Sequence, residues 1–215
     1  MTINIATEPE LQRFIKQYPE IKMLEILMPD MNGIVRCKRI PATEFTTFFC
    51  DGVKGPASTV LLNVRGEFCD EVDFANLEGD PDKLIHPIAN TLAPITWLKS
   101  DTAQVLGTFT ELDGSPALFD SRNILIKALQ PLQAMGLKPV VATELEFYLI
   151  KNGDSAVPQP QLAKVPGTNV EQSGTQYAMP EDLWDNDDFL EDVRKACELQ
   201  NVPMTTVHSE FSPGQ

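Results

Sequence analysis

The chain has little of what defines several large protein classes. It contains four cysteines among 215 residues, and none stands in the Cys-x-x-Cys spacing typical of zinc sites and redox motifs. Its 17 Lys and Arg residues are outnumbered by 31 Asp and Glu residues, for a formal net charge of −14. Because proteins that bind nucleic-acid backbones depend on clustered Lys and Arg, this balance argues against a nucleic-acid partner.

Long apolar runs are also missing from the sequence. No stretch approaches the about 18 residues that a membrane helix requires, and the amino-terminal segment lacks the basic start and apolar run of a signal peptide. Cysteines without paired spacing are typical of reduced thiols in an intracellular protein. We therefore expect a cytoplasmic protein with no membrane partner.

The first half contains short helix and strand patterns. Thr7 and Glu10 form a T-x-x-E capping box, which predicts a helix start. Two apolar stretches flank the turn-forming segment 29–33, and this arrangement predicts a β-hairpin. Further strands are predicted in two ranges, 58–67 and 102–116. We interpret residues 1–113 as one domain with a mixed set of strands.

The pattern changes at Asp120, which is the predicted N-cap of a helix over 121–135 that Gly136 ends. The elements that follow are predicted as a strand, a helix and a strand, over 138–150, 187–200 and 204–211. The sequence therefore predicts an α+β protein with a second domain over residues 114–215.

The two strand patterns of this second domain carry candidate metal ligands. Alternate side chains of a strand share a face, so Glu144 and Glu146 would stand side by side above an apolar layer, and His208 and Glu210 would share a face of the last strand. Carboxylates and imidazole are ligands for divalent cations. A solvated sheet face explains the Glu pair equally well, and a lone His-x-Glu is more often a hydrogen-bonded pair.

Four motifs, in this order, resemble the glutamine synthetase superfamily: DMNGIVRCKRIP, ELDGSP, VVATELEFYL and VHSEFSPGQ. Within it they are most similar to the γ-glutamylpolyamine synthetase-like branch, which joins glutamate to amines. The resemblance covers nearly the whole chain. It implies an N-terminal β-grasp domain, then the first part of a catalytic domain whose curved antiparallel sheet, with flanking helices, forms a funnel for ATP and glutamate.

The resemblance also implies roles for the candidate ligands. Glu144 resembles the ligand of the metal that activates the ATP phosphates, Glu146 and Glu210 resemble ligands of the metal nearer glutamate, and His208 is a further candidate. The implied cofactor is Mg²⁺ or Mn²⁺, with ATP as co-substrate. In the family's reaction the glutamate γ-carboxylate attacks the γ-phosphate of ATP, and ammonia or a small amine then displaces phosphate.

A third implication is an active site shared between subunits of a homo-oligomeric ring. The segment 48–58 corresponds to the part that reaches the neighbouring subunit, and Asp51 is the candidate for contacting the amine. An Asp-Gly turn is the local alternative for Asp51. Cys37 departs from the family, which usually has glycine there. His86, which precedes a proline, is interpreted as structural.

The resemblance also implies functional residues that this sequence does not include. The family has a further ligand Glu two residues after the Gln of Pro-Gly-Gln, which would lie beyond Gln215, as would most ATP-binding residues. We therefore expect the 215-residue chain to be nearly inactive alone and, with unpaired sheet edges, to oligomerise.

The sequence leaves other classes of function open. The alternative is a non-catalytic β-grasp assembly or regulatory module. A binuclear metal hydrolase ranks last, because no general base is visible.

Overall fold

The computed structural model describes residues 3–68, 80–172 and 177–215 and divides into two compact units, Met1–Pro139 and Val140–Gln215. The first unit has the helices α1 (Glu8–Gln17), α2 (Phe45–Asp51) and α3 (Ser121–Ala134). Its strands are β1 (Met23–Pro29), β2 (Val35–Pro41), β3 (Val53–Pro56), β4 (Asp82–Pro87), β5 (Ala93–Pro94) and β6 (Thr102–Thr110). The described part of the second unit has the helices α4 (Pro180–Asp185) and α5 (Asp187–Leu199).

These bounds bear on several sequence predictions. The structure divides into its two units after Pro139. The domain boundary predicted after residue 113 stays a prediction. Cys69 lies outside the described residues. In the ranges that the structure describes, no helix is long and apolar enough to cross a membrane.

A mixed sheet organises the first unit. Its strand order is β2-β1-β6-β4-β3, and β5 also pairs with β6. The strands β1 and β6 are parallel, while the other pairs are antiparallel. The Lys38 Nζ of one edge strand donates to the Lys54 carbonyl of the other edge strand at 2.6 Å. The sheet is therefore curled strongly enough for its two edges to meet, and the predicted hairpin is confirmed as β1 and β2.

One face of the sheet carries the hydrophobic core, against which α1 and α2 pack. The core includes Leu11 and Phe14 of α1, Phe45, Phe48 and Phe49 of α2, and Leu24, Ile26, Ile85, Val105 and Phe109 of the strands. Because α2 has only seven residues, its stability depends on this packing rather than on helix propensity. The three buried aromatic rings thus anchor the short helix that ends at Asp51.

Gly107 of β6 lies against branched side chains of the two neighbouring strands, β1 and β4. A Cβ at this position would lie 2.8 Å from Ile85 Cγ2 and 3.0 Å from Ile26 Cγ2. We expect Gly107→Ala to lower the free energy of unfolding by about 1–3 kcal/mol, because these methyl groups cannot move aside without strain. Urea denaturation measures the change. The control is Gly153→Ala, where a Cβ would meet nothing within 4 Å; equal losses in both variants would contradict the prediction.

The start of α1 differs from the predicted capping box. Thr7 is the N-cap residue in an extended conformation, but its side chain accepts no capping hydrogen bond. Pro9 has no N–H to offer, and the Glu10 N–H already donates to the Thr7 carbonyl at 2.9 Å. The Glu10 carboxylate instead accepts from the Asn90 N–H at 2.8 Å. The predicted capping contacts are therefore wrong, although the helix itself forms.

The helix predicted after Asp120 is confirmed as α3. The Asp120 Oδ1 accepts from the Arg122 N–H at 2.9 Å and the Asn123 N–H at 3.1 Å. Its Oδ2 accepts from the Phe109 N–H at 2.8 Å. Gly136, with a φ of +72°, follows the helix as predicted. One buried carboxylate thus caps α3 and ties its start to β6.

The strands predicted over 138–150 and 204–211 are not formed. In the described part of the second unit, the β contacts are isolated bridges, which pair Ile150 with Pro160 and Lys164 with Glu171. Leu145 is 88% exposed, so the predicted apolar layer beneath the glutamates is absent. Alternation identifies residues that could share a face, but a strand also requires a hydrogen-bonded neighbour. The curved antiparallel sheet is therefore not formed by these residues.

Two further element predictions have mixed outcomes. The range 58–67 overlaps a 3₁₀ turn, Ala57–Val60, and takes part in a single bridge, from Leu62 to Phe68, rather than forming a strand. The helix predicted over 187–200 is confirmed as α5, but none of its residues is buried. Periodicity therefore predicted the helix correctly.

Candidate functional site

Asp51 is the last residue of α2 and is exposed. The next residue, Gly52, has a φ of +76° and a ψ of −177°, and its N–H donates to the Phe48 carbonyl at 3.0 Å. Glycine alone tolerates this conformation readily. Among the residues that the structure describes, no hydrogen bond to the Asp51 carboxylate is found. The Asp-Gly turn therefore depends on Gly52 and leaves the Asp51 carboxylate available.

Gln215 connects two of the candidate ligands. Its side-chain Nε2 donates to the Glu146 Oε2 at 2.8 Å, and its side-chain oxygen accepts from the Tyr148 hydroxyl at 3.3 Å. Its backbone oxygen accepts from the Glu210 N–H at 3.1 Å. Glu146 and Glu210 are thus both held at one turn, although they belong to segments far apart in the sequence.

The Pro-Gly-Gln turn at 213–215 packs closely on the segment that carries Glu144 and Glu146. The Leu149 N–H donates to the Gly214 carbonyl at 2.7 Å. Gly214 has a φ of +82°, and a Cβ there would lie 2.8 Å from the Leu149 carbonyl oxygen. A glycine is therefore needed both for the turn and for the close approach of the two backbones.

His208 lies beside Glu210 in an aromatic environment. The Nδ1 of His208 is 3.6 Å from the Glu210 Oε1, which is longer than a hydrogen bond. The Tyr177 ring meets the His208 ring edge to face at 5.5 Å and stacks on Phe211 at 4.7 Å. The sequence carries no signal for the role of Tyr177, because a single aromatic residue beside a loop has no distinctive spacing.

The chemistry of these side chains fits a divalent cation, since carboxylate oxygens are the preferred ligands of Mg²⁺ and are also bound by Mn²⁺. Their arrangement is incomplete: within 3–68, 80–172 and 177–215, no three His, Cys, Asp or Glu residues lie together as a metal-binding group. The Glu144 side chain is exposed and forms no hydrogen bond or ion pair with a described residue. The ligand set Glu144, Glu146 and Glu210 stays a prediction.

Comparison with known proteins identifies the class of protein that this chain resembles. Residues 118–215 match the family model of the glutamine synthetase catalytic domain. Gamma-glutamylputrescine synthetase PuuA of Escherichia coli K12 is 32% identical over 210 residues, covering 98% of this chain and 44% of that protein. Glutamate–isopropylamine ligase of a Pseudomonas species is 28% identical over 210 residues, covering 96% of this chain and 44% of that protein.

These matches are to glutamine synthetase-type ligases. The chain belongs to the glutamine synthetase superfamily, and the resemblance that its motifs indicated, including the one to the γ-glutamylpolyamine synthetase-like branch, is confirmed. It spans 44% of the length of each of these two relatives. A solved structure described as a novel glutamine synthase homolog aligns with a TM-score of 0.45 at 14% identity, over 54% of this chain and 27% of that one.

Proposed function

We propose that this chain contributes to an ATP-dependent ligase that joins a small amine or ammonia to the γ-carboxylate of glutamate through a γ-glutamyl phosphate intermediate. The observation that carries the proposal is the 32% identity to γ-glutamylputrescine synthetase over 98% of the chain. The name of the second relative, a glutamate–isopropylamine ligase, supports an amine as the acceptor.

Glu144, Glu146 and Glu210 would hold Mg²⁺ or Mn²⁺, with His208 beside Glu210. When bound, such cations neutralise the charge that develops during phosphoryl transfer. The hydrogen bond from Gln215 to Glu146 fixes the direction of that carboxylate, as the neighbours of metal ligands commonly do. The acidic chain, with a net charge of −14, thereby accommodates the anionic substrates ATP and glutamate.

Asp51 would contact the amine from a neighbouring subunit in a homo-oligomeric ring. Its carboxylate is exposed at the end of a helix that Phe45, Phe48 and Phe49 anchor in the core. A carboxylate attracts a protonated amine and can accept its hydrogen bond. An exposed and unpaired group on an anchored helix is well suited to act on a second chain.

The proposal is tested by assaying product directly. The 215-residue chain is incubated with ATP, glutamate, Mg²⁺ and putrescine, isopropylamine or ammonia, and γ-glutamyl amides are measured by mass spectrometry. We expect little product from the chain alone. We expect ATP-dependent product when the chain is fused to the remaining carboxy-terminal part of γ-glutamylputrescine synthetase. A soluble fusion that makes no product, but assembles with that synthetase, would instead support a non-catalytic assembly module.

In the active fusion, Asp51→Asn is expected to raise the KM for the amine about 10- to 100-fold, the factor that corresponds to losing a hydrogen bond to a charged group. The KM for glutamate should change little, because Asp51 is not proposed to contact it. The control is Asp101→Asn, which removes a surface ion pair with Lys22 at 3.5 Å. Equal KM values for the amine in the two variants would contradict the role of Asp51.

A further inference from the structure

His86 lies on β4 against the glycine that ends α2. A Cβ on Gly52 would fall 2.9 Å from the His86 Cε1, 3.0 Å from its Nδ1 and 2.9 Å from the Ile85 carbonyl oxygen. Cβ atoms in proteins essentially never approach other atoms this closely. The imidazole ring and the β4 backbone therefore occupy the space on the side-chain side of Gly52.

Gly52 is the link between two anchored elements. On one side, Phe48 and Phe49 hold α2 in the core. On the other side, Val53 begins β3 and pairs with Ile85 of β4. The conformation of Gly52, with a φ of +76° and a ψ of −177°, lies in a region that essentially only glycine populates. Asp51 is the last residue of α2 before this link, and the His86 ring fills the space beside Gly52.

We propose that His86 is a positioning residue for Asp51: by packing on Gly52, its ring fixes the direction in which the Asp51 carboxylate leaves the end of α2. The inference rests on the proposed function, in which Asp51 contacts the amine. It deepens that function by assigning a role to a residue on a different strand. Because no described residue hydrogen-bonds to the Asp51 carboxylate, the reach of this side chain depends on the backbone position from which its Cβ projects.

The contribution of His86 is steric. Burial lowers the pKa of His86 below the usual value, so the ring is uncharged at neutral pH. An uncharged ring neither pairs with the Asp51 carboxylate nor repels a cationic amine. A flat apolar ring of similar shape should therefore replace it.

Hydrogen exchange of the 215-residue chain tests the inference without requiring activity. We expect His86→Ala to speed exchange of the Gly52 and Val53 amides about tenfold, while the amides of β1 change less than about threefold, because the opening is local. His86→Phe should restore slow exchange. The control is Val105→Ala, which removes methyl groups from a side chain that is 0% exposed and should speed exchange of both segments by the same factor.

Two results would overturn the inference. One is unchanged exchange at Gly52 and Val53 in His86→Ala. The other is an increase spread evenly over α2, β3 and β1, as in Val105→Ala, since that pattern would give His86 a general structural role. The result for His86→Phe separates the shape of the ring from its nitrogen atoms: continued fast exchange in this variant would contradict a steric role.

The active fusion supplies the kinetic readout. His86→Ala should raise the KM for the amine about fivefold and leave the KM for glutamate unchanged, and it should have no further effect in an Asp51→Asn background, because coupled residues are non-additive. Additive effects of the two substitutions would contradict positioning through Asp51. If the unmodified fusion makes no product, the proposed function fails, while the exchange comparison still decides whether His86 holds Gly52.

Discussion

Asp120→Ala is expected to lower the free energy of unfolding of the first unit by about 2–4 kcal/mol, because it removes a helix cap and leaves a buried N–H unpaired. Asp120 is 6% exposed. Its carboxylate accepts from the N–H groups of Arg122 and Asn123 in α3 and from that of Phe109 in β6. Alanine offers none of these N–H groups an acceptor, and the Phe109 N–H has no access to water in exchange.

Two variants make this prediction specific. Asp120→Asn keeps one acceptor oxygen, which can serve either the N–H groups of α3 or that of Phe109 but not both, and it should retain only part of the stability. Asp113→Ala changes the same residue type in the exposed turn after β6, where Asp113 accepts from the backbone and hydroxyl of Ser115, and it should cost much less. Urea denaturation of the three variants measures the differences. A loss in Asp120→Ala no larger than in Asp113→Ala would contradict the account of the buried carboxylate.

Asp30→Ala is expected to cost about 3–5 kcal/mol, the range for breaking a buried ion pair by removing one partner. The Asp30 side chain is 0% exposed, and that of Arg36 is 21% exposed. The carboxylate accepts from the Asn32 and Ile34 N–H groups at 2.8 and 2.9 Å and from the Arg36 guanidinium at 3.0 and 2.8 Å. Its removal leaves the hairpin turn without its acceptor and a partly buried guanidinium without its counterion.

The same carboxylate should make the hairpin sensitive to acid. Burial raises the pKa of Asp30, but the hydrogen bonds from Arg36, Ile34 and Asn32 outweigh burial, and the net pKa lies below the usual 3.8. The stability it contributes is therefore complete above pH 3.8 and is lost as the pH falls through the lower pKa of the folded state. Urea midpoints measured on both sides of pH 3.8 should fall more steeply for the unmodified chain than for Asp30→Ala; parallel profiles would contradict the assignment.

Some contacts between residues that are near in the sequence were predicted correctly, whereas contacts with distant residues were not. Turn residues and N-caps act over a few positions, so the hairpin at 29–33 and the cap at Asp120 could be predicted from their neighbours alone. The predicted capping box failed because the Glu10 N–H donates to the Thr7 carbonyl and Asn90, distant in sequence, takes the Glu10 carboxylate. A distant competitor of this kind is invisible to a local motif.

Alternation failed for a related reason in the candidate site. Glu144 and Glu146 alternate with apolar residues, yet Leu145 is 88% exposed and the segment pairs with no neighbouring strand among the described residues. A strand is a property of two segments, so one segment's pattern cannot establish it. The link from Gln215 to Glu146 was equally beyond prediction, since the two residues are 69 positions apart.

The sequence by itself determined the acidic charge, the helix and hairpin signals, the candidate ligands Glu144, Glu146 and Glu210, and the motifs of the glutamine synthetase superfamily. These depend on residue identity and short spacing. Only the tertiary structure decided that Asp120 joins α3 to β6, that Gln215 joins Glu146 to Glu210, and that His86 packs on Gly52 beside Asp51. Each of these links includes residues from segments that are separate in the sequence, and only packing those segments together brings such residues within van der Waals or hydrogen-bond distance.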